Sequence, residues 1–271
     1  MDTPYIIQVN SQKGGVGKTT IAVNLATALQ TSGANVLLID TDYSNPSVGF
    51  HLGLEDANSG LIAVLTGKAK FLTSLLIHNP TGLHVLPGES TTKVFDPISA
   101  KTQNELMRFY ASLIHQRFDF IIMDTSPGLE NESSFKFFKN KSNYEILLVL
   151  TPETSACASG VRIATKCAED HIKYRFILNR IRNKRYELHI DEIEEMCGDK
   201  IYASLPEDDV VPISIAAHTP AYLMSRNSGF SAGLAKLARI YSSEAGRERF
   251  EERRNINPVS RLLNWLFGRG E

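Results

Sequence analysis

The chain has 271 residues, of which 42% are hydrophobic and 22% charged, and its formal net charge is −1 at pH 7. This composition is typical of a soluble globular protein, and so small a net charge excludes a global field that attracts nucleic acid or an anionic membrane. Any such partner must therefore bind a local patch. The cysteines, Cys157, Cys167 and Cys197, lack the spacing of a Cys-x-x-Cys pair, which favours structural thiols in a reducing compartment.

No stretch reaches the roughly 20 apolar residues that cross a bilayer, and the N-terminus enters an apolar run without a charged leader. We therefore expect a cytoplasmic protein, either free or attached to the cytoplasmic face of the cell membrane.

Short β-rich runs alternate with longer helical patterns along the chain. The first run, Tyr5–Asn10, precedes a predicted helix over Lys18–Thr31, and the next run, Asn35–Asp40, is apolar enough to predict a strand buried on both faces. Further strands are predicted at Leu83–Leu86, Phe118–Met123, Glu145–Leu150, Arg175–Asn179 and Lys200–Ser204. Further helices are predicted at Lys101–Gln116, Ser155–His171 and Glu187–Cys197. This alternation predicts one α/β domain, a single doubly wound and mostly parallel sheet with helices on both faces.

The composition changes near Asn255. Residues 1–243 form the predicted domain, residues 244–255 are almost wholly charged and form a linker or helix end, and residues 256–271 contain the only tryptophan of the chain. On a helix, the large apolar side chains of this last segment gather on one broad face. They are Val259, Leu262, Leu263, Trp265, Leu266 and Phe267. The pattern predicts an amphipathic C-terminal helix that lies in a membrane interface, with packing against a protein surface as the alternative.

The segment after the first predicted strand reads SQKGGVGKTT and opens a helix. Glycines let backbone N–H groups converge on phosphate oxygens, and the helix N-terminus adds its positive end. Lys18 is expected to contact the β- and γ-phosphates, and the Thr19 hydroxyl to ligate Mg²⁺. The sequence therefore predicts a P-loop that binds ATP and Mg²⁺. Its predicted nucleotide-binding residues are Lys13, Gly14, Gly15, Val16, Gly17, Lys18, Thr19 and Thr20.

Two predicted strands end in aspartates. Asp40 and Asp42 follow the second strand, and Asp124 follows the strand over Phe118–Met123. Ligands of open α/β sheets bind at the carboxyl ends of parallel strands, and Mg²⁺ is held by a few carboxylates and retained waters. Thr19, Asp40 and Asp124 are therefore the candidate magnesium residues, the aspartates directly or through water.

The run Lys-Gly-Gly-Val-Gly-Lys-Thr, with Gln12 where P-loops usually have their first glycine, resembles the MinD/ParA superfamily of P-loop ATPases. The resemblance implies an ATP-dependent homodimer in which Lys13 contacts the nucleotide of the partner subunit, as an arginine finger does in other ATPases and GTPases. Because no histidine or glutamate near these motifs offers a better general base, we also expect slow ATP hydrolysis that is activated by dimerisation, the membrane or a partner.

The same resemblance assigns roles to the aspartates. Asp42 is expected to orient the attacking water or accept its proton, and Asp40 to support Mg²⁺ and Lys18. Asp124 matches the Walker B carboxylate, and Gly128 matches the second switch, which senses the γ-phosphate. With the two lysines, the implied catalytic set is Lys13, Lys18, Asp42 and Asp124.

The resemblance extends over residues 5–242 and includes the residues that are expected to lie near the adenine base. Asn179 and Arg180 match the family's adenine-side pair. Pro206, Glu207 and Asp208 match a loop near the base.

Several features separate the branches of the superfamily. The run DTDYSNPSVGFHLGL and the loop after Leu205 look more like MinD, whereas Gln12 looks more like ParA. With the tail, they favour a MinD-like ATPase that binds the membrane reversibly and positions an unknown partner in cell division or in surface machinery. A ParA-type partition ATPase on DNA is less favoured, because the one basic cluster is expected to be a solvated face. That cluster is Arg175, Arg180, Arg182, Lys184 and Arg185. A nucleotide-binding adaptor with little turnover is the third alternative, and the intact lysines and aspartates argue against it.

Overall fold

The computed structural model describes residues 3–54, 60–89, 99–128 and 133–255, with side chains described up to Glu244 in the last range. The predicted amphipathic segment, residues 256–271, lies outside the described residues. The six apolar residues expected to contact the membrane, Val259, Leu262, Leu263, Trp265, Leu266 and Phe267, all belong to that segment.

One sheet forms the centre of the domain. Its strands are β1 (Tyr5–Asn10), β2 (Val36–Asp40), β3 (Leu76–His78), β4 (Leu83–Leu86), β5 (Phe120–Asp124), β6 (Tyr144–Leu150), β7 (Lys173–Ile181) and β8 (Ile201–Pro206). Their order is β3-β4-β2-β5-β1-β6-β7-β8. Strand β3 pairs antiparallel with β4, and the remaining pairings in the described ranges are parallel. The predicted mostly parallel sheet is confirmed.

Helices cover both faces of this sheet. They are α1 (Lys18–Thr31), α2 (Val48–Leu52), α3 (Leu61–Leu65), α4 (Ala100–Leu113), α5 (Ser133–Phe138), α6 (Thr154–Glu169), α7 (Ile190–Cys197), α8 (Val210–Ala216), α9 (Ala221–Met224) and α10 (Gly229–Asn255), with a 3₁₀ turn at Phe71–Ser74. Helices α1, α2, α9 and α10 contribute to the core on one face, and α3 to α7 contribute to the core on the other. The doubly wound α/β architecture predicted from the sequence is therefore present.

The strands are buried on both faces, which explains their apolar sequences. In β1, Ile7 and Val9 pack into the first core and Ile6 into the second, because successive side chains of a strand point to opposite faces. A parallel sheet with two covered faces favours such continuous apolar runs. At most of the strand ends, the observed bound differs from the predicted one by a few residues. For example, β5 ends at Asp124, whereas the predicted strand ends at Met123.

Short elements escaped the sequence prediction. Strand β3 has three residues and α2, α3, α5, α8 and α9 have four to seven, so none contains enough turns or alternations to show a period. The charged segment 244–255 continues α10 up to Asn255. No helix within the described ranges is long and apolar enough to cross a bilayer.

The register of the central strands positions the predicted site. In the pairing of β2 with β5, Asp40 lies beside Asp124, and Val9 of β1 lies on the other side of Asp124. The P-loop connects β1 to α1. The loop and the aspartates therefore meet at the carboxyl edge of the sheet.

Candidate nucleotide-binding site

The P-loop turns sharply between β1 and α1, and its backbone needs glycine. Gly15 and Gly17 have φ values of 76° and 97°, in the left-handed region that side chains disfavour. A Cβ on Gly17 would also lie 2.5 Å from Nδ2 of Asn179, closer than van der Waals contact allows. Backbone geometry thus requires glycine at positions 15 and 17, and the close neighbour adds a second reason at Gly17.

A cavity of about 630 Å³ lies over this loop. Its volume falls within the range of small-molecule sites, roughly 300–1,000 Å³. The P-loop, the segments that follow β2 and β5, and the end of β7 contribute its lining. The lining residues are Gly14, Gly15, Gly17, Lys18, Thr19, Thr20, Asp42, Ser44, Asn45, Ser47, His51, Ser126, Pro127 and Arg180. Two cations and several hydroxyl groups at a helix N-terminus suit an anionic, phosphate-bearing ligand.

Thr19 is connected to the end of β5. Its hydroxyl donates to Oδ2 of Asp124 at 2.6 Å, and Oγ of Ser47 donates to Thr19 Oγ1 at 3.2 Å. Asp40 Oδ2 accepts from the backbone N–H groups of Ser47 at 2.8 Å and Val48 at 3.0 Å. The three predicted magnesium residues therefore lie in one hydrogen-bonded group.

The electrostatics of this group fit a divalent cation. Burial, followed by the charge of Asp40, raises the pKa of Asp124 well above its usual range, and Lys18 lowers it in part. Burial likewise raises the pKa of Asp40 to about 6, against the lowering effect of its backbone donors. Oδ1 of Asp124 is buried and accepts no hydrogen bond from the described residues. Two adjacent buried carboxylates, one with an unsatisfied oxygen, match the oxygen ligands of Mg²⁺.

Asp42 lies at the wall of the cavity. Its Oδ1 accepts from the backbone N–H groups of Ser44 at 3.1 Å and Asn45 at 3.0 Å, and from Oγ of Ser126 at 2.8 Å. An Asx-type turn therefore fixes this carboxylate on its own loop.

Lys13 and Val16 are not among the cavity-lining residues described. Nζ of Lys13 hydrogen-bonds to Oγ of Ser155 and lies 3.5 Å from Oε2 of Glu153, both at the start of α6 on the same chain. The Lys13 side chain is 38% exposed. Val16 is buried under the loop, and its carbonyl accepts from Nδ2 of Asn179 at 2.8 Å.

The predicted adenine residues occupy different environments. Arg180 lines the cavity with φ at 60°, whereas Asn179 is buried and braces the P-loop. Glu207 accepts from Nε of Arg182 at 2.9 Å, and Asp208 accepts from the backbone of Val210 at 3.1 Å. The lining described for the cavity does not include Asn179, Pro206, Glu207 or Asp208.

Six cavity residues received no role from the sequence, namely Ser44, Asn45, Ser47, His51, Ser126 and Pro127. Ser47 and Ser126 are serines in loops after strands, and only the three-dimensional contacts show that they touch Thr19 and Asp42. His51 also lines the cavity. Burial, followed by the neighbouring His218, lowers the pKa of His51 to about 4, so its imidazole is neutral at physiological pH.

The basic residues do not form one solvated cluster. Arg175 is 12% exposed, and its Nε lies 2.9 Å from Oε1 of the buried Glu145. Its guanidinium also contacts Glu244 of α10. Arg182 is paired with Glu207. The expectation of a solvated face is therefore wrong for Arg175.

Known proteins resemble this chain over most of its length. The family described as "AAA domain" matches residues 5–166, which include the P-loop and all three aspartates. The septum site-determining protein MinD of Synechocystis is 31% identical over 231 residues, covering 82% of this chain and 84% of that protein. MinD of Pyrococcus horikoshii, solved with Mg-ADP, is 26% identical, with 90% of this chain and 98% of that chain covered at a TM-score of 0.79. The MinC:MinD cell division complex of Aquifex aeolicus is 26% identical, with 88% of this chain and 95% of that chain covered at a TM-score of 0.72.

Proposed function

Because this chain belongs to the MinD/ParA superfamily of P-loop ATPases, we propose that it is an ATP-dependent, dimerising ATPase that binds the cytoplasmic face of a membrane reversibly and positions a partner protein. The observation that carries this proposal is the buried pair Asp40 and Asp124 beside Thr19 at the mouth of the P-loop. That arrangement suits a magnesium nucleotide.

The residues present fit a bound Mg²⁺. Thr19, Asp40 and Asp124 would hold the ion, which neutralises charge on the phosphates when it is bound. The Mg-ADP complex of the Pyrococcus relative supports this nucleotide and ion for the present chain. Lys18 lies in the first turn of α1 at the cavity and would contact the same phosphates.

Asp42 would accept the proton of the attacking water. In hydrolysis, the water oxygen forms a bond to the γ-phosphorus, the bond from that phosphorus to the bridging oxygen breaks, and ADP leaves with the electron pair. The proton of the water passes to the Asp42 carboxylate and then to the released phosphate or to solvent. The position of Asp42 on the cavity wall supports this role.

Lys13 would act on the nucleotide of a second copy. Its present contacts with Glu153 and Ser155 are at the surface, with exposed fractions of 38% for Lys13 and 64% for Glu153. Solvent-exposed ion pairs contribute little, at most about 1 kcal/mol, so dimerisation can release this lysine.

The membrane part of the proposal rests on the sequence of residues 256–271. Each large apolar side chain on the predicted face contributes at most about 1.5–3 kcal/mol on burial, so a single tail binds weakly. Two tails on an ATP-bound dimer bind by avidity, which links membrane residence to nucleotide state. The partner positioned there is a protein, as the MinC:MinD complex of a relative suggests. Binding to DNA is less favoured because Arg175 and Arg182 are already paired.

Light scattering after size-exclusion chromatography tests the dimer. A non-hydrolysable ATP analogue should give the mass of a dimer and ADP that of a monomer. Lys13→Ala should stay monomeric with either nucleotide while still binding both. Lys200→Ala, which removes an exposed lysine from another surface ion pair, is the matched control and should dimerise. A wild-type chain that binds the ATP analogue and stays monomeric would overturn the proposal.

A further inference from the structure

Ser126 and Asp42 follow two neighbouring strands of the sheet. Asp40 and Asp124 are register partners at the ends of β2 and β5, and Asp42 and Ser126 each lie two residues further along. Both line the nucleotide cavity, and Oγ of Ser126 donates to Oδ1 of Asp42 at 2.8 Å. This hydrogen bond joins the two segments at the place where the attacking water is expected.

The bond from Ser126 differs from the other two that Asp42 accepts. Ser44 and Asn45 donate from the same loop as Asp42, so they move with it. Ser126, by contrast, donates to Asp42 from the segment that follows β5. All three bonds end on Oδ1. They therefore hold the orientation of the Asp42 carboxylate at the cavity wall.

The segment that carries Ser126 is itself fixed on the sheet. The Thr125 hydroxyl donates to the carbonyl of Val9 at 2.8 Å, and the Thr41 hydroxyl donates to the carbonyl of Asp124 at 2.7 Å. On the other side of Ser126, the N–H of Gly128 donates to the carbonyl of Ser11 at 2.8 Å. Contacts with the sheet and with the P-loop segment thus hold the residues on both sides of Ser126 in this structure, whereas Asp42 is followed by the exposed residues Ser44 and Asn45.

We propose that Ser126 is a positioning residue for ATP hydrolysis, whose hydroxyl orients the Asp42 carboxylate towards the attacking water. The inference rests on the proposed function, since it concerns the step assigned to Asp42. A hydrogen bond to a carboxylate is charge-assisted and directional, so it can set the orientation of the acceptor. Nucleotide affinity depends instead on the P-loop backbone and Lys18, so Ser126 affects the rate of hydrolysis and leaves binding unchanged.

The test compares hydrolysis with binding in the full chain. Phosphate release is measured in single turnover, with the protein in excess over Mg-ATP and above its Kd, and affinity is measured with a fluorescent ADP analogue. The variants are Ser126→Ala, which removes the hydroxyl, and Ser126→Thr, which retains it. Ser32→Ala is the matched control, because it removes a serine hydroxyl that donates to the carbonyl of Leu29 at 2.7 Å, at the far end of α1.

Ser126→Ala should slow phosphate release by about tenfold, a part of the roughly 100- to 10,000-fold that a positioned base contributes. Its affinity for the ADP analogue should stay at the wild-type value. Ser126→Thr should restore most of the rate, and Ser32→Ala should match the wild type in both measurements.

Three results would overturn the inference. They are an unchanged rate in Ser126→Ala, a loss of affinity equal to the loss of rate, and a Ser126→Thr variant no faster than Ser126→Ala. A wild-type chain that binds the analogue and releases no phosphate is a different result, because it overturns the proposed function and the inference falls with it.

Discussion

Asp124 ends β5 and is only 1% exposed as a residue, and it lies next to Asp40 and near Lys18. Two buried carboxylates raise each other's proton affinity, and one nearby lysine offsets this only in part. The site is therefore arranged for the cation of a magnesium nucleotide rather than for maximum stability without it. This interpretation separates the two contributions of Asp124, to stability and to ligand binding.

Asp124→Asn keeps the shape of the side chain and removes its buried charge. Without Mg-ATP, its free energy of unfolding should equal or exceed that of the wild type. Mg-ATP at 100 times Kd raises the free energy of unfolding of the wild type by about 2.7 kcal/mol, and the variant should lose most of this increment. Thermal unfolding with and without Mg-ATP measures both. The exposed Asp191→Asn is the control, and an equal increment in Asp124→Asn would contradict the assignment.

Gly17 offers a second test at the residue scale. Gly17→Ala and Gly33→Ala both place a side chain at positive φ, 97° and 100°, which disfavours an L-residue by about 1–2 kcal/mol. Only Gly17 has a close neighbour, Asn179 Nδ2 at 2.5 Å from the new Cβ, whereas Gly33 has nothing within 4 Å. Both variants should lose stability in urea unfolding, and only Gly17→Ala should lose affinity for ATP. Wild-type affinity in Gly17→Ala would show that the loop adapts.

At the scale of elements, a buried polar cluster holds α10 against the sheet. Glu145 of β6 accepts from the hydroxyl groups of Tyr5 at 2.8 Å and Tyr241 at 2.7 Å. Arg175 of β7 lies 2.9 Å from the same carboxylate and also contacts Glu244 of α10. Burial raises the pKa of Glu145, and Arg175 lowers it in part. The arginine thus stabilises a carboxylate that has little solvent.

Arg175→Met should destabilise the domain strongly. It leaves Glu145 buried without its cation, and breaking a buried pair in this way costs about 3–5 kcal/mol. Arg182→Met is the matched control, because its pair with Glu207 is exposed, and it should leave the free energy of unfolding close to the wild-type value. Urea unfolding of the two variants measures the difference. Equal losses would show that the cluster does not hold α10.

Local patterns account for what the sequence predicted, and long-range contacts account for what it missed. The P-loop and the strand-terminal aspartates stand out because glycine spacing and apolar runs are visible within a few residues. Ser126 and Asp42 are 84 positions apart, and their contact depends on the order of β2 and β5 in the sheet. The burial of Arg175 likewise depends on α10 returning to β6, which no local pattern shows.

At the scale of the whole molecule, α10 runs from the carboxyl ends of the strands towards their amino ends. It begins at Gly229, where a Cβ would meet Pro206 at the carboxyl end of β8 at 2.7 Å, and it reaches Glu145 near the amino end of β6. Its described part ends at Asn255, roughly 16 Å beyond Glu244 at 1.5 Å per residue. Asn255, the last described residue, therefore lies towards the side of the domain opposite the nucleotide cavity. Under the proposed function, dimerisation couples the nucleotide state to membrane binding.

Co-sedimentation with liposomes tests this coupling most directly. The intact chain and a chain ending at Asn255 are compared with ATP, with ADP and without nucleotide, and Lys18→Ala serves as the variant impaired in phosphate binding. The proposed function predicts that only the intact wild-type chain pellets with lipid, and only with ATP. Lipid binding by the intact chain in every nucleotide state would retain the anchor and contradict the switch. No lipid binding in any state would contradict the membrane function itself, and DNA would be the next partner to test.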